Sequence, residues 1–308
     1  GDLLGSTMVI EDITSEKRVR STMARYMTRE IADQVLEHGA SVLGGRSQLA
    51  TIVFTDIKDF TALSERIGAQ KTVSLLNDYF TEMVEVVFAH HGILDKYIGD
   101  AIMAVFGAPF PSPNDADNAL HMAIEMQKVL KQFNGKRKAA AHPPVEIRIG
   151  ISSDHIVAGN IGSDRRMDYT VIGDGVNLAA RLESANKQLG TQLLISGMTA
   201  NLLQDRYHMR ELDLLRVKGK KNPVPIYEVF GHGDTPLPER IARLLSRFEK
   251  GLRAYRQRDW LTASEHFKAA VEIDGDDQPS QIFLQRSESY GAEPPSDDWD
   301  GVWTLYDK

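Results

Sequence analysis

Residues 50–60 read ATIVFTDIKDF: an apolar run, Ile52-Val53-Phe54, that drives into a carboxylate, Asp56, before the chain turns polar. A strand that looks buried should not end on an acid unless something compensates the charge. A second case lies in ILDKYIGDAIMAVFG, residues 93–107, where Asp100 stands between two further apolar runs. Taken singly, Asp56 is most simply a helix cap and Asp100 a hairpin-turn residue. Taken together they are hard oxygen donors of the kind that Mg²⁺ or Mn²⁺ prefers. The TDIKDF turn enters a helix whose first N–H groups, at Phe60 and Thr61, suit phosphate oxygens. A carboxylate there would repel phosphate unless a cation stood between them.

Working outward, the helix GDGVNLAARLESANKQLG, residues 173–190, has an apolar stripe of Leu178, Leu182, Ala185 and Leu189. Beside it runs a polar stripe of Asn177, Arg181, Ser184 and Gln188, with Asn177 and Arg181 four apart and so neighbours. An Asn–Arg pair next to a glycine-rich entry can hold a sugar and a phosphate; an exposed helix face explains the same residues without a ligand. In VEIRIGIS, Val145, Ile147, Ile149 and Ile151 alternate with Glu146 and Arg148, the period of a strand.

The coarse order expected for residues 49–230 is a strand (49–57), a short helix, and a long helix (69–90). A hairpin (92–98 with 101–106) and a helix (114–133) follow, then strands at 145–152 and 155–162. Helix 174–189, strand 191–196, a short helix and strands 207–217 and 223–230 complete it. Hairpins interleaved with helices predict an α+β sheet with helices on one side.

The chain has 308 residues, 36 basic and 43 acidic, a net charge of −7 that argues against a nucleic-acid surface. It has no cysteine, which excludes disulfides, thiolate metal sites and cysteine nucleophiles. No apolar run reaches a membrane span and the start shows no signal-peptide pattern, so a cytoplasmic setting is expected. Adjacent His90 and His91 invite a metal reading, but a helix C-terminus favours histidine in any case.

Four stretches, VFTDIKDFTALSE (53–65), LDKYIGDAIMAVFG (94–107), DYTVIGDGVNLAARLE (168–183) and LLRVKGKKNPVPIYEV (214–229), resemble in order and spacing the class III nucleotidyl cyclase catalytic domain. The resemblance implies a ferredoxin-like βαββαβ core with added strands and helices. It implies a head-to-tail homodimer with shared sites, in which Asp56, Asp100 and the Ile57 carbonyl hold two divalent cations, Mg²⁺ or Mn²⁺. The partner subunit would supply Lys96 and Thr170 to the purine, Asn177 to the ribose and Arg181 to the reacting phosphate. Lys218, with Lys220 as alternative, would meet the terminal phosphates. Guanylyl-type members usually carry an acid where Lys96 stands, so lysine favours ATP as substrate and cyclic AMP as product. Thr170 replaces the aspartate of many adenylyl members and is similar to a subgroup associated with bicarbonate activation. A guanylate cyclase, or an inactive cyclase-like dimerisation module, are the alternatives; the presence of Asp56, Asp100, Asn177 and Arg181 weighs against the second.

Flanking the catalytic block, expected at 46–231, residues 1–16 resemble the last strand of a PAS-like sensor domain, as in a piece of a longer protein. Residues 12–45 read as a signalling or dimerising helix and linker. Residues 232–308 read as a linker and helical extension. There Leu252, Tyr255, Trp260, Ala263, Phe267 and Ala270 mimic one tetratricopeptide-like helical pair, which needs another surface to cover its apolar face.

Overall fold

A computed structural model describes residues 45–163, 166–216 and 223–304. The expected sensor-domain strand, the signalling helix, Lys218 and Lys220 lie outside those residues. Among the described residues, the first seven elements are β1 (Arg46–Ile57), α1 (Phe60–Ile67), α2 (Ala69–Ala89), β2 (Ile93–Ile98), β3 (Ala101–Phe106), α3 (Asp115–Ala139) and β4 (Ile147–Ser163). Their sheet order, β2-β3-β1-β4, is that of a βαββαβ ferredoxin-like core. The additions are β5 (Arg166–Ile172), α4 (Asp174–Leu189), β6 (Leu193–Ser196), α5 (Gly197–Leu202), β7 (Tyr207–Arg216) and β8 (Val224–His232). Then come α6 (Glu239–Arg256), α7 (Trp260–Ile273), α8 (Gln278–Ala292) and β9 (Val302–Thr304). The sheet continues from β4 through β6, β8 and β7 to β9, with β5 paired to β4.

Period-two patterning fixes which side of the sheet each residue serves. Val53, Ile57, Ile147, Ile149 and Ile151 form one core with Leu75, Tyr79 and Met83 of α2 and Leu120, Met122 and Met126 of α3. The opposite face carries Ile52 and Phe54, and there the expectation of helices on one side fails. Helix α4 lies flat on that face: a Cβ added at Gly150 would fall 2.2 Å from the Glu183 nitrogen and 2.3 Å from the Ala179 oxygen. Only a strand lacking a side chain at that point lets the helix backbone come so close.

Two further expectations change. The strands placed at 145–152 and 155–162 are one strand, β4, because the polar residues between them keep pairing with β1, Thr51 opposite Ser153 and Ala50 opposite Asp154. The Ser153 hydroxyl is satisfied inside the sheet by Thr51 Oγ1 at 2.8 Å and Thr199 Oγ1 at 3.1 Å. Helix α3 runs on to Ala139 rather than stopping near 133, its last turn carrying Lys136, Arg137 and Lys138, charges that favour a helix C-terminus.

Helices α6–α8 share a core with the sheet block: Phe248, Tyr255, Phe267 and Phe283 pack with Leu178, Leu182, Leu212, Leu215 and Ile226. Arg210 of β7, its side chain 4 % exposed, joins the two parts. It donates to Glu228 Oε2 at 2.7 Å and to both Asp277 oxygens at 2.9 and 2.6 Å. No described helix is long and apolar enough to cross a membrane.

Candidate active site

Asp56 stands one residue before the end of β1, in register with Arg148 of β4. Alternation puts its side chain on the α4 face with Ile52 and Phe54. Asp100 comes from the two-residue turn between β2 and β3, where Gly99 takes φ +65°, a backbone state that glycine adopts at little cost. The turn brings Asp100 back to the strand end, and the Ile57 N–H donates to Asp100 Oδ2 at 3.2 Å. The two acids singled out in the sequence are therefore neighbours.

Their electrostatics are those of a site built for positive charge. Burial, then the hydrogen bond and charge of Asp100, then the charge of Glu183, push Asp56 from its ordinary 3.8 up to about 7. Glu183 of α4 is itself held above the usual carboxylate range by burial, opposed by Ser184 and the Arg148 charge and raised further by Asp100. Below them the fully buried Tyr79 hydroxyl is pushed up mainly by burial and also by the charges of Asp56 and Asp100. Carboxylates crowded until one takes a proton offer hard oxygen donors that a divalent cation would relieve, so the donor set fits Mg²⁺ or Mn²⁺. Glu183 was not singled out in the sequence; its only signal was a place inside the third motif.

A second group gathers around Asp95 of β2, whose side chain is 4 % exposed. The Thr170 hydroxyl donates to Asp95 Oδ2 at 3.0 Å, and Lys96 Nζ stands 3.2 Å from the same oxygen. The contact exists because the far half of β4 and β5 fold over the α4 face, where Ile156 and Val171 pack with Ile52, Met103 and Val105. Burial raises the Asp95 pKa, while Thr170 and Lys96 pull it back. Lys96 and Thr170 were expected side by side; Asp95, which holds them so, was missed, and only its position before Lys96 hinted at it.

The remaining candidates sit on two helices. Helix α1 begins at Phe60, which packs partly against the core, while Thr61 is exposed and its carbonyl accepts from the Ser64 hydroxyl at 2.8 Å. On α4, Asn177 is exposed and Arg181 half-buried.

The family model described as "Adenylate and Guanylate cyclase catalytic domain" matches residues 44–230. "Adenylate cyclase 1" of Rhizobium meliloti (strain 1021) is 36% identical over 213 residues, 68% of this chain and 32% of the relative. An "Adenylate cyclase" of Anabaena cylindrica is 37% identical over 223 residues, 69% of this chain and 43% of the relative. The chain thus spans a third to under half of those relatives' length. Among solved structures, the adenylyl cyclase CyaB from P. aeruginosa is 38% identical with TM-score 0.58, covering 63% of this chain and 100% of that one. The guanylyl cyclase Cya2 is 36% identical with TM-score 0.56, covering 62% and 96%.

Proposed function

The chain belongs to the family of adenylate and guanylate cyclase catalytic domains, and from that premise we propose that it is an adenylate cyclase converting ATP to 3′,5′-cyclic AMP and pyrophosphate. Overall likeness does not choose the base, since an adenylyl and a guanylyl cyclase structure resemble the chain almost equally, at 38% and 36% identity. The observation that carries the choice is the hydrogen bond from Thr170 to Asp95. A hydroxyl has one proton and two lone pairs. With its proton given to the Asp95 carboxylate, Thr170 offers a base only an acceptor. That matches the N6 amino group of adenine and meets the O6 acceptor of guanine with repulsion. Lys96 can only donate, which suits N1 of adenine and not the N1–H of guanine.

Asp56, Asp100 and the Ile57 carbonyl would hold two divalent cations, which when bound lower the pKa of the ribose 3′-hydroxyl and neutralise the departing pyrophosphate. Asn177 hydrogen-bonds the ribose and fixes the 3′-hydroxyl in line with the α-phosphorus. Arg181 presents a planar fork of donors to the phosphate as charge builds in the transition state. Phe60 and Thr61 offer backbone N–H groups at the start of α1 to the triphosphate, and Lys218 its ammonium.

The acting unit is a homodimer with shared sites. Tyr97 and Ile98 on the β2–β3 hairpin, and Val157 and Ile172 on the β4–β5 arm, are 46%, 51%, 39% and 52% exposed, more bulky apolar surface than a lone subunit would leave on two adjacent hairpins. The reaction belongs in the cytoplasm, in keeping with a cysteine-free chain. Thr170 also motivates a bicarbonate assay at fixed pH, where unchanged turnover would remove that activator.

Purified protein incubated with Mn²⁺ and either ATP or GTP should release cyclic AMP and pyrophosphate, with GTP much the poorer substrate. Preferential cyclic GMP would establish the guanylate reading, and no cyclic product from either nucleotide would refute the enzyme. Mixing inactive Asp56→Asn and Arg181→Ala chains should restore one pocket per heterodimer; no recovery in chains shown to associate would refute shared sites.

A further inference from the structure

On the sheet face opposite α4, three side chains from three elements converge on one point. His121 projects from α3, Asp205 from the loop before β7, and His232 from the end of β8. One donor atom from each lies within 4.8 Å of the others. His121 Nε2 is 3.3 Å, and His232 Nε2 3.8 Å, from Asp205 Oδ2. Ligands about 2.0–2.1 Å from a tetrahedral zinc ion stand about 3.4 Å apart, so small side-chain rotations bring these three into coordination.

The supporting shell is already in place. Asp117, 5% exposed, accepts from the Gln204 and Asp205 N–H groups at 3.0 and 3.1 Å and so fixes the loop that carries Asp205. The Tyr207 hydroxyl donates to Asp117 Oδ1 at 3.2 Å and stands 3.0 Å from His121 Nε2, a contact that coordination at this nitrogen would replace. Tyr207 is also in register with His232 across β7 and β8. The Gly233 N–H donates to the Arg206 carbonyl at 2.6 Å, tying the residue after His232 to the same loop. Asp234 Oδ2 lies 3.5 Å from His232 Nδ1. The Asp234 N–H also donates to that Nδ1 at 3.3 Å, which leaves Nε2–H facing Asp205 in the ion-free chain; coordination at Nε2 would move the proton to Nδ1, beside the Asp234 carboxylate.

We propose that His121, Asp205 and His232 form a binding site for a divalent transition metal of the Zn²⁺ type. Two imidazoles and one carboxylate, with water as the fourth ligand, suit Zn²⁺ or Co²⁺ and disfavour Mg²⁺, which demands oxygen ligands. The site is separate from the catalytic acids, which face α4, and His232 lies past residue 230, where the family match ends. The conspicuous His90–His91 pair is not in it: the His90 ring is 6.4 Å from that of His121. A bound ion would clamp α3 to the strand that leads out into α6–α8.

The test uses the tag-free, chelator-treated 308-residue chain carrying Asp56→Asn and Asp100→Asn, so that the catalytic acids do not contribute. Titration with Zn²⁺ should give one ion per chain and a rise in melting temperature. Each of His121→Ala, Asp205→Asn and His232→Gln should weaken binding at least about tenfold, and Co²⁺ absorption bands in the visible should vanish with them. His232→Gln keeps the side-chain volume, and its metal-free melting curve checks folding. No stoichiometric Zn²⁺, or binding that survives the triple substitution, would overturn the site; since catalysis is not the readout, that result leaves the cyclase reading standing.

Discussion

At the scale of single residues, the reading turns on two carboxylates, the buried Asp95 side chain and the half-buried Asp56. If Asp95 fixes the Thr170 proton, Asp95→Asn frees it, because an amide can donate to Thr170 and leave the hydroxyl to donate to guanine O6. The ratio of kcat/KM for ATP over GTP should then fall by about tenfold or more, the effect of one mismatched hydrogen bond; an unchanged ratio would show that Asp95 only packs. Asp56 makes a pH prediction. Its folded pKa of about 7 exceeds the ordinary 3.8, so between those values the folded chain holds a proton that the unfolded chain has lost. Stability of the metal-free protein therefore falls as pH rises from about 4 to about 7. Melting temperatures in chelator should show that decline for wild type relative to Asp56→Asn, and the stabilisation by Mn²⁺ should grow over the same interval. Asp56 and Asp100 were legible because charge interrupting an apolar run is conspicuous. Asp95 was not, because its importance comes from β5 folding over the sheet, a contact 75 residues away in the chain.

At the scale of elements, periodicity served well wherever one face meets the core. Helix α4 was expected at 174–189 and spans Asp174–Leu189, since its stripe of Leu178, Leu182, Ala185 and Leu189 is uninterrupted. The strand β4 was broken in two because Ser152, Ser153 and Asp154 look like a turn when their partners on β1 and α5 are unseen. Strand β5 was missed because RRMDYT opens with charge. The side of the sheet taken by α4 depended on a single glycine that periodicity does not weigh. Gly150→Ala should therefore cost at least about 3 kcal/mol, beyond ordinary overpacking, because the obstructing atoms are helix backbone. Urea denaturation measures it; a loss below about 1 kcal/mol would show that α4 can lift away.

At the scale of the whole molecule, the catalytic block and helices α6–α8 are one body in packing, whatever their separate ancestry. The motifs announced the block, whereas the extension's partner surface was unreadable because it is assembled from Leu212, Leu215 and Ile226 on strands that also serve the sheet. Ending the chain after His232 should uncover those residues and remove Asp277 from Arg210. With roughly 1.5–3 kcal/mol for each large apolar side chain exposed, the melting temperature should drop by on the order of 10 °C or more. A truncated chain that melts with the 308-residue one would show the shared core to be dispensable.

That shared core bears on how such proteins are recombined. The whole of the matched P. aeruginosa chain is covered by 63% of this one, so that structure is accounted for without the rest of this chain. Here the packing runs on past that share: Phe248 and Phe283 share a core with Leu178 and Leu182 of α4, the same helix that presents Asn177 and Arg181. A chimaera joined at residue 230 would inherit a catalytic block with an unfinished back wall, whereas one joined beyond β9 would carry a closed unit to its new partner domain.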